Sequence, residues 1–157
     1  MNEQTNAESD LTALLAGSIS ILIRELHEQL HEIGYEHIRP AHGFLFKRIT
    51  PDGATGIEIA EYLGITKQAV SKMVDHLEEN GYVQRTNHPT DMRGKLIVLT
   101  EHGKLAIQAK EKIVAEIEQR WAERIGVERM NMLKRDLITL VGESTGGQVP
   151  FRARPVW

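Results

Sequence analysis

Four polar side chains that can form hydrogen bonds are clustered near the middle of the chain: Lys67, Gln68, Ser71 and Lys72. They occupy the first turns of a segment whose apolar residues recur with helical spacing, so they share the opposite, polar face. A glutamine amide can pair with adenine through two hydrogen bonds, and a lysine can donate to guanine or to phosphate. This face therefore suits contact with DNA, and Lys72 suits phosphate. The alternative is an ordinary solvated helix face.

A second group of polar and basic residues follows on a predicted β-hairpin: Arg85, His88, Arg93 and Lys95. Two runs of β-forming residues, 82–86 and 95–99, predict its strands, and the residues between them are typical of a turn. An arginine at the tip of such a ribbon can enter a minor groove and respond to its width. Arg85 has an alternative role, which is an ion pair with an acidic residue of the core.

A tight helix–turn–helix is predicted to position these side chains. Ala60 is small enough for a second helix to cross the first closely, and Gly64 allows the positive φ of a sharp turn. Ile65 then closes the wedge between the two helices. Thr66 is a suitable N-cap for the second helix, and the first turns of such a helix are the ones that enter a major groove.

Amphipathic helices are predicted on both sides of this central unit. The first begins after Asp10, continues to Ile33 and is apolar on more than one side, so it needs more than one packing partner. Two more helices follow the hairpin and are separated by Gly126. We expect these ends to form an intermolecular packing region, with Trp121 in the core or the dimer interface rather than stacked on a ligand.

Four spaced motifs distinguish the central unit from an isolated helix–turn–helix. They are Leu77-Glu78-Glu79-Asn80-Gly81, Asp91-Met92-Arg93, Leu99-Thr100 and Gly103. Together, from Ile59 to Gly103, they resemble the DNA-binding core of the MarR family of bacterial regulators. The resemblance implies a homodimer joined through its terminal helices, with two recognition helices on successive major grooves of double-stranded DNA. It also implies that Asp91 pairs with Arg93 and steadies the wing.

The hairpin and the recognition helix together supply the predicted DNA-binding residues. These are Thr66, Lys67, Gln68, Ser71, Lys72, Arg85, Asp91, Arg93 and Lys95. The resemblance further implies repression of nearby genes, relieved by a small-molecule effector held between the dimer helices and the DNA-binding lobe. Candidate residues for lining that effector site are His31, Tyr35, His42 and Phe46. No cofactor is expected.

Four histidines fall within one short window, namely His27, His31, His37 and His42. His27 and His31 are one helical turn apart, a spacing that can hold a metal ion. The alternative is that they are surface or pocket residues of a histidine-rich chain. We favour this alternative and assign no metal ligands.

Composition excludes several other classes of function. The chain contains no cysteine, which rules out disulfides and thiolate chemistry, and its net charge of −3 requires any positive surface to be local. The sequence shows no nucleophile–base pair and no phosphate-cradling loop, so we expect no enzyme. With neither a signal peptide nor a membrane-spanning run, a cytoplasmic location is the simplest expectation. The competing class is a protein-interaction module.

The predicted fold is mainly α with a small two- or three-stranded β-wing, a winged helix-turn-helix with N- and C-terminal dimerisation helices. Five regions are predicted along the chain. They are a disordered N-terminus (1–9), an N-terminal dimerisation helix (10–36), a DNA-binding domain (37–100), C-terminal dimerisation helices (101–142) and a flexible or partner-packed tail (143–157).

Overall fold

The computed structural model describes residues 10–91 and 94–144. The helices are α1 (Leu11–Glu32), α2 (Pro40–Ile49), α3 (Gly56–Leu63), α4 (Lys67–Glu79), α5 (Glu101–Ile125) and α6 (Val127–Ser144). The strands are β1 (Ala54–Thr55), β2 (Val83–Asn87) and β3 (Lys95–Leu99), which form an antiparallel sheet in the order β1-β3-β2. The predicted fold class is confirmed.

The predicted helix ends agree with the structure where a capping residue was recognised in the sequence. Asp10 accepts a hydrogen bond from the Ala13 amide, and Thr100 accepts one from the Gly103 amide. The sixth helix carried no such signal. It begins directly after Gly126 and continues to Ser144, two residues into the predicted tail. The predictions for residues 1–9 and for the rest of the tail lie outside the described residues.

The main hydrophobic core lies between α2, α3, α4 and the sheet. Its fully buried members include Leu45, Ile59, Val74, Leu77 and Tyr82. Each of these helices contributes one apolar stripe, so the opposite faces of α3 and α4 are left to solvent. This core fixes the relative positions of the recognition helix and the hairpin.

A second cluster joins the N-terminal helix to α5. Leu26 and Leu30 of α1 pack against Ile113 and Ile117 of α5, and Trp121 is partly buried against the same group. Trp121 is thus a packing residue, one of the two roles expected for it. Tyr35, between α1 and α2, packs against both clusters. The helices α1 and α5 and the central lobe of α2, α3, α4 and the sheet are therefore connected by direct side-chain packing.

Large apolar side chains remain exposed on α1 and α6. On α1, Leu11 is 68% exposed, and on α6 the corresponding values for Ile138 and Leu140 are 67% and 59%. Within the part of the chain that the structure describes, no helix has both the length and the apolar character required to cross a bilayer.

Candidate nucleic-acid interface

The turn before α4 sets where the recognition helix begins. Gly64 has φ 64°, in the left-handed region predicted for it, and the amide of Ile65 donates to the carbonyl of Ala60 at 3.1 Å. The hydroxyl of Thr66 then accepts from the amide of Ala69 at 3.1 Å, which caps α4. The chain thus reverses within three residues and presents the first turns of α4 at the surface.

The two faces of α4 separate as the sequence predicts. Val70 and Val74 are 1% exposed, whereas Gln68 and Lys72, with their neighbours Lys67 and Ser71, are exposed. The structure therefore brings the predicted reading residues together on one surface at the N-terminal end of the helix. Amide, hydroxyl and ammonium groups on such a surface can form hydrogen bonds with base edges and phosphates.

The hairpin beside α4 has a regular register. Arg85 lies opposite Ile97, and Asn87 lies opposite Lys95. The Lys95 ammonium donates to the Asn87 side-chain oxygen at 2.8 Å, so this lysine is exposed but held across the strands. It places an exposed ammonium group on the wing.

His88 organises the wing tip, a role that the sequence did not reveal. Its Nδ1 accepts from the amides of Thr90 and Asp91 at 3.3 and 3.1 Å, and the amide of Gly94 donates to the Asp91 carbonyl at 3.1 Å. Asp91 itself is exposed. Arg93, its predicted partner, lies outside the described residues, so their pairing stays a prediction.

Arg85 forms ion pairs with two acids of the recognition helix. Its guanidinium contacts Glu78 and lies 2.5 Å from the carboxylate of Asp75, and its backbone amide donates to Glu78 at 2.9 Å. These two carboxylates hold the pKa of Arg85 above its usual value, against the opposite effect of burial. This arrangement agrees with the alternative role of Arg85 in being an ion pair, but its partners are partly exposed acids of α4 and not acids of the core. One guanidinium thus compensates the negative charges of two carboxylates on α4.

The Leu-Thr and Gly elements of the motif meet at the base of the wing. The Thr100 hydroxyl donates to the Gly81 carbonyl at 2.5 Å, and its amide donates to the Tyr82 carbonyl at 3.1 Å. Gly103 packs so closely on the residue before β2 that a Cβ atom there would lie 2.1 Å from the Tyr82 carbonyl oxygen. The motif thus joins the end of α4 to the start of α5.

Three histidines lie close together near the C-terminal end of α4: His76 of that helix, with His37 and His42 packed beside it. The ring of His76 lies 5.3 Å from that of His42 and 6.3 Å from that of His37. His42 is 3% exposed, and its Nδ1 accepts from the Arg39 amide at 3.0 Å. Burial, followed by the nearby charges of His76, Arg39 and His27, lowers the pKa of His42 from 6.5 to about 4. His42 is therefore neutral at physiological pH.

A cavity of about 860 Å³ lies between α1, α2 and α5. Apolar side chains such as Leu22, Leu26 and Phe46 form most of its wall, and its polar lining residues are His27, Arg39, Lys47, Thr50, Lys110 and Glu111. Of the four predicted effector residues, only Phe46 lines this cavity. His42 is buried in α2, Tyr35 is half-buried between the two clusters, and His31 is exposed on α1.

The histidine window does not form a metal centre within the described residues. No three His, Asp or Glu side chains there are grouped closely enough to hold a metal ion. The Nδ1 atom of His42 is already used by the Arg39 amide. The window instead contributes to the contacts between α2 and α4.

Two features of the site escaped sequence reasoning. His76 borders the apolar stripe of α4, which was the only available signal that it might face another element. The polar residues of the cavity come from α1, from α2 and its flanking residues, and from α5, which follows only after the helix–turn–helix and the hairpin. No local spacing could have grouped them.

The fold and the surface of α4 define a winged helix-turn-helix protein. Residues 49–94 match the model of the MarR family. A segment of 51 residues is 41% identical to the HTH-type transcriptional regulator PrsX of Escherichia coli, and it covers 32% of this chain and 31% of that protein. The match thus spans about a third of the length of the curated relatives. The segment carrying the site is therefore similar to MarR-family regulators, which confirms the resemblance.

Solved structures extend the similarity beyond that segment. The reduced form of MarR from E. coli is 23% identical, with a TM-score of 0.70 over 87% of this chain and 99% of that one. The transcriptional repressor CouR, solved bound to a 23-mer DNA duplex, is 25% identical, with a TM-score of 0.65 over 89% of this chain and 98% of that one. PrsX and CouR are named as a transcriptional regulator and a transcriptional repressor, in agreement with the expectation that this chain is not an enzyme.

Proposed function

We propose that this protein is a sequence-specific DNA-binding regulator of transcription that acts as a homodimer on a near-palindromic operator. The observation that carries the proposal is the exposed polar face of α4, where Gln68, Ser71 and Lys72 lie beside the wing. A helix presented in this way can enter a major groove with its N-terminal turns first. Thr66, Lys67, Asp91, Arg93 and Lys95 complete the proposed contacts, and a cytoplasmic location is inferred from the role.

The exposed apolar side chains of the terminal helices support the homodimer. Leu11, Leu14 and Leu15 on α1 are 44–68% exposed, and Ile138 and Leu140 lie exposed on α6. Apolar surface of this extent on helices at both ends of the chain is typical of an interface. We assign residues 10–36 and 101–142 to dimerisation and residues 37–100 to DNA binding.

The cavity between α1, α2 and α5 is the proposed effector site. Its apolar wall and its cationic side chains Arg39, Lys47 and Lys110 would accept a small amphipathic anion. Such a ligand would lie where the dimerisation helices meet the DNA-binding lobe. We propose that its binding releases the operator, so that the protein is a repressor.

Selection from a random duplex library tests the proposal, followed by gel retardation with the selected duplex. We expect two half-sites whose centres are about 10–10.5 base pairs apart, since a two-fold dimer presents two recognition helices. Light scattering should give the mass of a dimer at micromolar concentration. A Gln68→Ala/Lys72→Ala variant that keeps the wild-type melting temperature is the matched control and should lose the retarded band. Failure of the wild-type protein to enrich any sequence would contradict the proposal.

A further inference from the structure

A short segment between α1 and α2, residues 36–39, touches both the recognition-helix region and the cavity. The carbonyl of Glu36 accepts from the Tyr82 hydroxyl at 2.7 Å, and the carbonyl of His37 lies 2.8 Å from Nε2 of His76. The next two residues, Ile38 and Arg39, line the cavity. Two residues of this segment thus contact Tyr82 and the end of α4, and the next two form part of the cavity wall.

The contact with His76 has a defined direction. A carbonyl oxygen can only accept, so Nε2 of His76 carries the hydrogen and donates it to His37. The packing of the His76 ring against His42 and His37 holds that orientation. The hydrogen bond spans 39 positions of sequence, so it is a tertiary contact between α4 and the preceding segment.

The segment itself has a backbone conformation that other contacts must maintain. His37 has φ 64°, and it is the only non-glycine residue with positive φ among the described residues. Few residues other than glycine adopt this left-handed region, although asparagine, aspartate and histidine do so more often than the rest. Ile38 and Arg39 directly follow the His37 carbonyl in the chain, so a displacement of either cavity-lining residue would move that carbonyl.

We propose that His76 is a positioning residue that holds the recognition helix on residues 36–39 and thereby links the state of the cavity to DNA binding. His76 lies eight residues after Gln68, which places the two about 12 Å apart along the same rigid helix. A shift at the His76 end changes the tilt of α4 and with it the position of the reading face. The inference rests on the proposed function, because the tilt is read out by DNA.

The test measures this linkage with the anionic dye anilinonaphthalene sulfonate, whose rings and sulfonate suit an apolar cavity lined by lysines. Dye affinity is titrated on the full-length protein with and without the selected duplex. For the wild type we expect DNA to weaken dye binding by about five-fold or more, a typical size for coupling between two sites. In His76→Ala the effect of DNA should fall below about two-fold, while dye affinity without DNA changes little.

Three control variants sharpen the experiment. His76→Gln keeps a side-chain donor for the His37 carbonyl and should retain the linkage, which a purely structural loss would not explain. Glu79→Ala, on the same turn of α4 but exposed, should also retain it. Gly43→Leu places a side chain at a cavity-lining position where a Cβ atom meets nothing within 4 Å, so it should fill the cavity and abolish dye binding.

The outcomes separate this inference from the proposed function. A wild-type protein that selects no DNA sequence contradicts the proposed function. A wild-type protein that binds its duplex but binds the dye equally with and without DNA, or not at all, overturns the linkage alone. If His76→Ala keeps the full wild-type effect of DNA on dye affinity, the proposed role of His76 is wrong. If Gly43→Leu binds the dye as tightly as the wild type, the cavity is not the linked site.

Discussion

Arg85 on β2 contacts Glu78 on α4 through both its side chain and its backbone. The guanidinium forms an ion pair with one carboxylate oxygen, and the backbone amide donates to the other at 2.9 Å. The wing and α4 are thereby joined by a residue for which the sequence allowed two roles, a contact with DNA or an ion pair. Asp75 joins the same guanidinium at 2.5 Å, so one cation compensates two acids.

The first prediction is that Arg85 and Glu78 act as a unit. Arg85→Ala and Glu78→Gln should each lower the free energy of unfolding by about 1 kcal/mol, because the pair is only partly buried and screening limits its strength. In urea denaturation the double variant should lose less than the sum of the two single losses. Both single variants should also weaken binding to the selected duplex. Weakening by Arg85→Ala alone would instead indicate a direct contact of Arg85 with DNA.

The second prediction separates base reading from phosphate contact on α4. Gln68→Ala should lose about 1–3 kcal/mol per half-site on the selected sequence and relax the preference there. Lys72→Ala should weaken binding to all sequences about equally and reduce the salt dependence. Affinities on selected and scrambled duplexes at several salt concentrations measure both effects. Equal losses on the two duplexes for Gln68→Ala would remove it from base reading.

The third prediction concerns the proposed pairing of Asp91 with Arg93. Arg93→Ala should lower DNA affinity severely with little change in melting temperature, because an exposed pair contributes only about 0–1 kcal/mol to folding. Asp91→Ala should also lower the affinity, though less, since Arg93 would then lose side-chain entropy when it is ordered on DNA. Simple electrostatics predicts the opposite sign for removing an acid near DNA. Tighter binding by Asp91→Ala at physiological salt would therefore refute the ordering role.

The fourth prediction follows from the buried His42. Burial is the main cause that lowers the pKa of His42 from its ordinary value of 6.5 to about 4 in the folded protein. Between these values the unfolded chain binds the proton and the folded protein does not, so stability falls as the pH falls. We expect the wild type to lose about 2 kcal/mol more than His42→Gln between pH 7 and pH 5, measured by urea denaturation. Glutamine at this third helical position can still accept from the Arg39 amide. Identical pH dependence of the two proteins would contradict the assignment.

The fifth prediction tests the close packing at the base of the wing. A methyl group at Gly103 would meet the backbone carbonyl of Tyr82 at 2.1 Å, and neither backbone can move without disturbing the α5 cap. Gly103→Ala should therefore lower the free energy of unfolding by about 3 kcal/mol. Gly43→Ala is the matched control within a helix, where nothing lies within 4 Å, and should raise it by up to about 1 kcal/mol. Thermal denaturation of both variants gives the comparison, and a Gly103→Ala variant as stable as the wild type would exclude the steric role.

The interface on α4 was predictable because its causes are local. Thr66 as a cap, Gly64 as a left-handed turn and the spacing of Val70, Val74 and Leu77 each depend on neighbours within a few residues. These local rules fix which face of the helix is buried and which carries Gln68. For Arg85 the sequence left two alternatives, a contact with DNA or an ion pair. Its acidic partners lie on α4, and their distance from the Arg85 guanidinium depends on how α4 packs against the sheet.

The effector residues show the same limit more clearly. The four residues predicted to line an effector site, His31, Tyr35, His42 and Phe46, are close in sequence, yet only Phe46 lines the proposed cavity. The reason is that α5, which completes its wall, packs against α1 and α2 from a distant part of the chain. The sequence did not indicate the role of His76 for a related reason. Its partner is a backbone carbonyl 39 positions away, and every residue type has such a carbonyl. Periodicity and capping depend on residues close together in the sequence, so they determine where the helices lie and which face of α4 is exposed. Only the tertiary structure decides the cavity, the ion pairs of Arg85 and the hydrogen bond between His76 and His37. Each of these depends on how the helices and strands pack together.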